Sequence, residues 1–234
     1  MAIKRKYDDG CAAAHALDLV GDRWALLIVR ELLLGPKRFT ALRSSLPSIS
    51  PNVLTQRLND LEAASVLERR RLPPPAEVWV YELTDWGREL EPVVLQLARW
   101  GVRSPAFLRG APLGVDALLL SFKSMVVPER AKGCELSLEL AFDQEIFHVA
   151  LRRGRLDIGR GASNRPQAKI ATDTATLLRL AYGKAPLDQA IESGRLRYTG
   201  QKAAIQEFLD LFALPETADA CDSGASAATT TQSR

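Results

Sequence analysis

In SISPNVLTQRLNDLEAA (residues 48–64) short amides and a hydroxyl recur at helical spacing: Asn52, Thr55, Gln56 and Asn59, with Arg57 on the flank. Leu54, Leu58 and Leu61 stand opposite at i, i+4 and i+7, an apolar stripe that buries the other side of the same helix. A water-facing helix would ordinarily carry Lys and Glu on its outer face. Asn and Gln instead place a donor and an acceptor side by side, which pairs bidentately with adenine, and Thr can contact a thymine methyl. The chemistry indicated is readout of base edges in the major groove of double-stranded DNA. Arg57 would reach a phosphate or a guanine, and Ser50 with the first amides of the helix would meet phosphate. Arg69, Arg70 and Arg71 follow within a dozen residues and suit the DNA backbone or minor groove, in a salt-sensitive contact. Any one of these amides alone reads equally well as ordinary surface; the set carries the argument.

These residues need elements to position them. Ser50 is a good N-cap and Pro51 fits the first helical position, where its missing N–H costs nothing. Phe39, Leu42 and Leu46 predict a brief preceding helix, joined by the tight connection Pro47-Ser48-Ile49. A short helix, a turn and a capped second helix make a helix-turn-helix. Upstream, residues 11–20 form a short helix. Asp22 is expected to cap the next helix, which carries Trp24, Leu27, Ile28, Leu32 and Leu33 and stops at Gly35-Pro36. Downstream, strands at 66–72 and 78–83 flank Pro73-Pro74-Pro75. Thr84 then caps one helix over 85–102 with Leu90, Val93, Val94, Leu97 and Trp100 apolar. A helix-turn-helix followed by a β-ribbon is a winged helix.

The whole chain sets limits. It has 234 residues, 47% hydrophobic, and a net charge of +3. Neither side of Pro105 has a marked basic excess, so DNA binding has to come from local clusters. No apolar run approaches the roughly 20 residues of a membrane span. MAIKRKYDDG turns acidic before any apolar stretch, so a signal peptide is not expected and a cytoplasmic location is. Cys11, Cys134 and Cys221 form no CxxC pair, and His15 and His148 lie far apart, so neither a metal nor any other cofactor is expected.

Beyond Arg103-Ser104-Pro105 and Gly110-Ala111-Pro112 the pattern changes. A helix is expected over 114–123, strands over 134–142, 145–152 and 155–160, and helices over 174–182, 186–193 and 201–212. This predicts an α+β domain with an antiparallel sheet. The expected organisation is a winged-helix domain at 1–105, the α+β domain at 113–214 and a disordered tail at 215–234. No GxSxG, HExxH or glycine-rich phosphate loop occurs, so the chain is not expected to be an enzyme.

The residues of 9–102 closely resemble the HxlR-type winged-helix transcriptional regulators. The resemblance is carried by Gly21-Asp22-Arg23-Trp24, Arg38-Phe39, Ile49-Ser50-Pro51, Leu54-Thr55-Gln56-Arg57-Leu58 and Leu83-Thr84-Asp85-Trp86-Gly87. It implies a cytoplasmic bacterial DNA-binding homodimer, joined through the helices at 11–20 and 85–102. The stiff Pro73-Pro74-Pro75 departs from the family at the wing and puts its groove contact in question. Cys11 stands where many such regulators place an N-terminal cysteine, which in some members senses oxidants or electrophiles. Lys4, Arg5, Lys6 and a helix start favour a reactive thiolate there, whereas Asp8 and Asp9 oppose it. The other reading of Cys11 is a structural thiol at the dimer seam.

The second part is similar to sterol-carrier-protein-type lipid-binding domains over about 113–214, chiefly through SGRLRYTG and its flanking helices. That resemblance implies a lipid or other apolar small molecule as ligand. Ile146, Phe147, Val149, Leu177, Leu180, Ile205 and Phe208 are the candidate pocket walls, each also readable as plain core. The sequence thus points to a dimeric, sequence-specific DNA-binding regulator with an apolar-ligand-sensing C-terminal domain. The alternative is a lipid-carrier or ligand-binding protein whose helix-turn-helix mediates protein contacts.

Overall fold

The computed structural model describes residues 7–218. Its first part runs α1 (Ala12–Val20), α2 (Ala25–Leu32), α3 (Phe39–Ser45), α4 (Pro51–Ala63), β1 (Leu67–Arg71), β2 (Trp79–Leu83), α5 (Asp85–Arg88) and α6 (Glu91–Gly101). This is a winged helix. The start of α4 follows from its sequence: Ser50 is extended, its Oγ accepts the Val53 N–H at 3.3 Å, and Pro51 opens the first turn. Leu54, Leu58 and Leu61 are fully buried against Ile28, Val29, Leu42, Val66, Leu67 and Leu83. β1 and β2 pair antiparallel, with Leu67 opposite Leu83, Arg69 opposite Tyr81 and Arg71 opposite Trp79. Lys37 adds a one-residue third strand, exchanging backbone hydrogen bonds with Tyr81 at 3.0 and 2.8 Å. A Cβ on Gly87 would fall 1.9 Å from the Val66 carbonyl oxygen, so only glycine lets α5 sit this close to β1.

Two expectations are corrected in this part. Asp22 does not cap α2, which begins after Trp24 at φ 81° with no side-chain cap; its carboxylate faces Arg57 instead. The helix at 85–102 is two helices. Pro92 stands in the first turn of α6, and its missing N–H cannot continue the hydrogen-bond ladder from α5.

The second part contains α7 (Val115–Met125), α8 (Pro128–Ala131), β3 (Leu136–Phe142), β4 (Glu145–Arg152), β5 (Arg155–Arg160), β6 (Ala168–Thr172), α9 (Thr174–Ala181), α10 (Leu187–Glu192), β7 (Leu196–Gly200) and α11 (Lys202–Asp210). It is an α+β layer with sheet order β5-β4-β3-β6-β7. Every pairing is antiparallel except β3 with β6. β7 is an edge strand that helical periodicity alone passes over. Alternation sends Leu136, Leu138, Leu140 and Phe142 inward with Phe147, Val149 and Ile158, and leaves Ser137, Glu139, Ala141 and His148 on the opposite face. Phe122, Phe208 and Phe212 close the interior, with ring centroids 4.5 to 5.4 Å apart. Asp173 caps α9 by accepting the Thr176 N–H at 2.7 Å.

α7 lies along α6 and α2 and joins the two parts. Ser124 Oγ donates to the Leu95 carbonyl at 2.7 Å, Arg99 donates to the Ser124 carbonyl at 3.1 Å, and Lys123 pairs with Glu91. Residues 215–218, the start of the expected disordered tail, are ordered. The Ala218 N–H donates to the Arg103 carbonyl at 2.8 Å, and Arg109 donates to Thr217 Oγ1 at 3.0 Å. Small polar composition did not reveal this because the partners, Arg103 and Arg109, lie more than a hundred residues away in the chain. The remainder of that tail with Cys221, and the basic run Lys4, Arg5 and Lys6, lie outside the described residues. No helix among the described residues is long and apolar enough to cross a membrane.

Candidate nucleic-acid interface

The outer face of α4 is built as its residue types demand. Ser50, Asn52, Thr55, Gln56 and Asn59 are all exposed on it. The Thr55 hydroxyl donates to the Pro51 carbonyl at 3.0 Å, which commits its proton to the helix. Gln56 Nε2 donates to Asp60 Oδ1 at 2.8 Å, so this amide is held in one orientation before any ligand arrives. Among the described residues, Asn52 and Asn59 make no side-chain hydrogen bond.

Arg57 is not on this face. It is half-buried, and its Nη1 lies 2.5 Å from Asp22 Oδ2 and 2.6 Å from Asp60 Oδ2. Its guanidinium therefore fastens α4 to the start of α2, so in the free protein it is engaged within the fold rather than held out toward phosphate or guanine. Helical spacing puts Arg57 on the flank, but the sequence gives no hint that Asp22, 35 residues away, folds against it.

The three wing arginines have three different surroundings. Strand alternation places Arg69 and Arg71 on one face and Arg70 on the other. Arg69 stacks over the Trp79 ring at 4.7 Å. Arg70 is tied to the Glu82 carboxylate. Arg71 meets Glu77 at 3.2 Å in an exposed pair. Trp79 is 53% exposed beside the wing tip and was not singled out from the sequence. Its signal was there: a large aromatic at the open end of a short strand, opposite an arginine.

Cys11 is the N-cap of α1 and is exposed. The backbone N–H groups of Ala14 and Ala13 point at its sulfur and hold the thiol below its ordinary pKa. Cys134 is the opposite case. Burial and the Glu207 carboxylate, 3.1 Å from its sulfur, push it up to about 11.

On α6 the side turned away from α7 is apolar and open. Pro92, Val93, Gln96, Leu97 and Trp100 line a groove of about 530 Å³, and Trp100 is 75% exposed. Leu17 on α1 is also exposed.

Among the described residues, the candidate pocket walls of the second part other than Ile146 belong to a packed core. Phe147, Val149, Leu177, Leu180, Ile205 and Phe208 are packed against one another and fully buried. Leu180 borders a cleft of about 40 Å³ shared with Thr176, Arg179, Gln189 and Arg195, which is room for a water and little more. Ile146 is corrected: it is 43% exposed, because β4 turns Phe147 inward and its neighbour outward.

Comparison with known proteins divides the chain in the same region. The HxlR-like helix-turn-helix family matches residues 19–105, and the alkyl sulfatase C-terminal family matches residues 111–218. An uncharacterized HTH-type transcriptional regulator of Bacillus subtilis (strain 168), YybR, is 38% identical over 96 residues, 40% of this chain and 74% of that protein. The HTH-type transcriptional regulator YodB of the same organism is 38% identical over 85 residues, 36% of this chain and 76% of its own. Among solved structures, the redox regulator HypR in its oxidized form shares 34% identity, with 42% of this chain and 100% of that chain covered and a TM-score of 0.39.

Proposed function

The chain belongs to the HxlR-like family of helix-turn-helix transcriptional regulators, and from that premise we propose that it acts in the cytoplasm as a homodimer binding double-stranded DNA sequence-specifically. The observation that carries this reading is the outer face of α4: four exposed groups that can read base edges, on a helix whose long cation is turned aside to lock it in place. Asn52, Thr55, Gln56 and Asn59 read bases, and Ser50 with the first amides of α4 holds a phosphate. Arg69 and Arg71 face the DNA backbone from the wing, whereas Arg70 chiefly braces the ribbon through Glu82.

The domain division of the reading is a DNA-binding domain at 1–105 and a regulatory domain at 113–214. The open groove on α6 is the proposed dimer face; an apolar surface of this kind is ordinarily covered. Cys11, exposed with a lowered pKa, is the candidate redox-sensing thiol. An apolar small molecule is the candidate effector of the second domain, supported by the likeness of SGRLRYTG and its flanking helices to sterol-carrier-type domains. Phe147 and Phe208 are fully buried, so a ligand seated among the candidate walls would have to repack that interior.

The test is to select the DNA that the protein prefers from its own genome and to measure the double variant Asn52→Ala, Gln56→Ala on it and on random DNA. Each good base contact contributes roughly 1–3 kcal/mol of discrimination, so losing two should cost selected DNA at least about thirtyfold more affinity than random DNA. Equal losses on both would sink base reading by this face.

A further inference from the structure

Where the two parts of the chain meet, a cluster of charges is buried. The Lys37 ammonium is 6% exposed and lies 2.6 Å from Glu31 Oε2, 2.7 Å from Asp116 Oδ2 and 3.3 Å from Ser45 Oγ. Glu31 and Asp116 are themselves buried. Arg160 Nη2 reaches both Asp116 oxygens, at 2.8 and 3.0 Å, its Nη1 reaches Glu145, and its guanidinium lies 4.8 Å over the Phe147 ring. Arg30 closes the other end on Glu31 at 2.7 Å. Three cations thus meet three carboxylates. Lys37, Glu31, Arg30 and Ser45 come from the winged helix, and Asp116, Arg160 and Glu145 from the second part.

A seam made for adhesion alone would be apolar, since buried ion pairs seldom add net stability over well-packed hydrophobic residues. What directed charges add is one required geometry: each group must meet its partners in place or remain desolvated and unpaired. The backbone is shaped to the same end. Gly35 takes φ +132°, and a Cβ there would lie 3.3 Å from Arg160 Cδ, so this turn closes around the arginine.

Lys37 is also the joint of the DNA-reading unit. Its backbone is paired on both sides to Tyr81 of β2, it immediately precedes Arg38, which opens α3, and its ammonium touches Ser45 where α3 ends. Resting on the proposed DNA-binding function, we propose that Asp116 and Arg160 are positioning residues for DNA recognition. By holding the Lys37 ammonium from the second domain, they fix the wing relative to the helix-turn-helix, so that wing and α4 engage one site together. DNA affinity then depends on how the second domain is seated, with no contact between that domain and DNA.

The test uses the full chain with Asp116→Asn and Arg160→Gln. Ser124→Ala serves as the control, because Ser124 lies on the same seam outside the cluster and bonds Leu95. Amide hydrogen exchange is followed at Lys37 and Tyr81 and in α9 and α11, and affinity is measured on DNA selected by the unaltered protein. Asp116→Asn should speed exchange at Lys37 and Tyr81 at least tenfold and weaken binding at least fivefold, with α9 and α11 unchanged; Ser124→Ala should do neither. Unaltered exchange at Lys37 and Tyr81, or unaltered affinity with a loosened wing, overturns the proposal. If Asp116→Asn does not fold, Arg160→Gln, which leaves Lys37 its carboxylate, supplies the same measurements. If the unaltered protein selects no DNA, the proposed function falls, and exchange at the two joint residues alone decides whether the second domain holds the wing.

Discussion

Replacing Trp100 by alanine should break the proposed dimer and spare the fold. The indole is 75% exposed at one end of the α6 groove, so it adds little to the monomer's own core. A fully exposed Trp presents roughly 250 Å². Covering the exposed three-quarters would remove about 190 Å² from water, worth about 4–5 kcal/mol at ~25 cal/mol per Å². Imperfect packing returns part of that, and interface tryptophans typically cost 2 kcal/mol or more on truncation. A two-fold interface uses the residue twice. The dimer should therefore weaken by at least about 4 kcal/mol, or about a thousandfold in Kd. Sedimentation equilibrium over a wide concentration range reads this directly. Leu108→Ala, at a residue equally exposed but outside the groove, provides the comparison. A Kd within a few-fold of the unaltered protein's, with Leu108→Ala no different, would refute the assignment of this groove to the dimer face. A lowered melting temperature for the monomer would show that Trp100 has a packing role instead.

If Arg71 makes the proposed phosphate contact, Arg71→Ala should reduce the slope of log affinity against log salt by about one; salt titration on random DNA measures it. A thiol reagent at neutral pH should label Cys11 well before Cys134. The lowered pKa of Cys11 keeps more of it as thiolate at any given pH, so its labelling rate should rise at lower pH than for an ordinary thiol, while Cys134, near 11, stays protonated; peptide mapping separates the two. Phe208→Ala removes one ring of the Phe122–Phe208–Phe212 cluster and should cost about 3–5 kcal/mol in denaturant unfolding.

What the sequence disclosed is what local chemistry dictates. The Ser50-Pro51 start of α4, the leucine stripe beneath it and the alternation of β3 and β4 each follow from a few neighbouring residues. What it withheld depends on distant partners. Asp22 reads as a cap until Arg57 arrives from 35 residues away. Arg57 reads as a DNA contact until both its carboxylates are seen. The parallel pairing of β3 with β6 leaves no mark on alternation, which is the same in either direction. The Lys37–Asp116 contact spans 79 residues. One signal for it did stand in the sequence: Glu31 and Asp116 are lone carboxylates on otherwise apolar helix faces, where an unpaired charge would be untenable. The break before α6 was legible too, since Pro92 cannot sit inside a continuous helix.

The chain leaves the winged helix through Arg103 and, after the whole α+β layer, returns to it: Ala218 bonds the Arg103 carbonyl and Glu216 accepts from its side chain. Entry and exit of the second domain thus lie side by side at a single point on the scaffold. A unit with adjoining ends is transplantable. It can be cut out, exchanged for another domain, or rejoined in permuted order without stretching the chain, provided that the replacement also presents a carboxylate to Lys37.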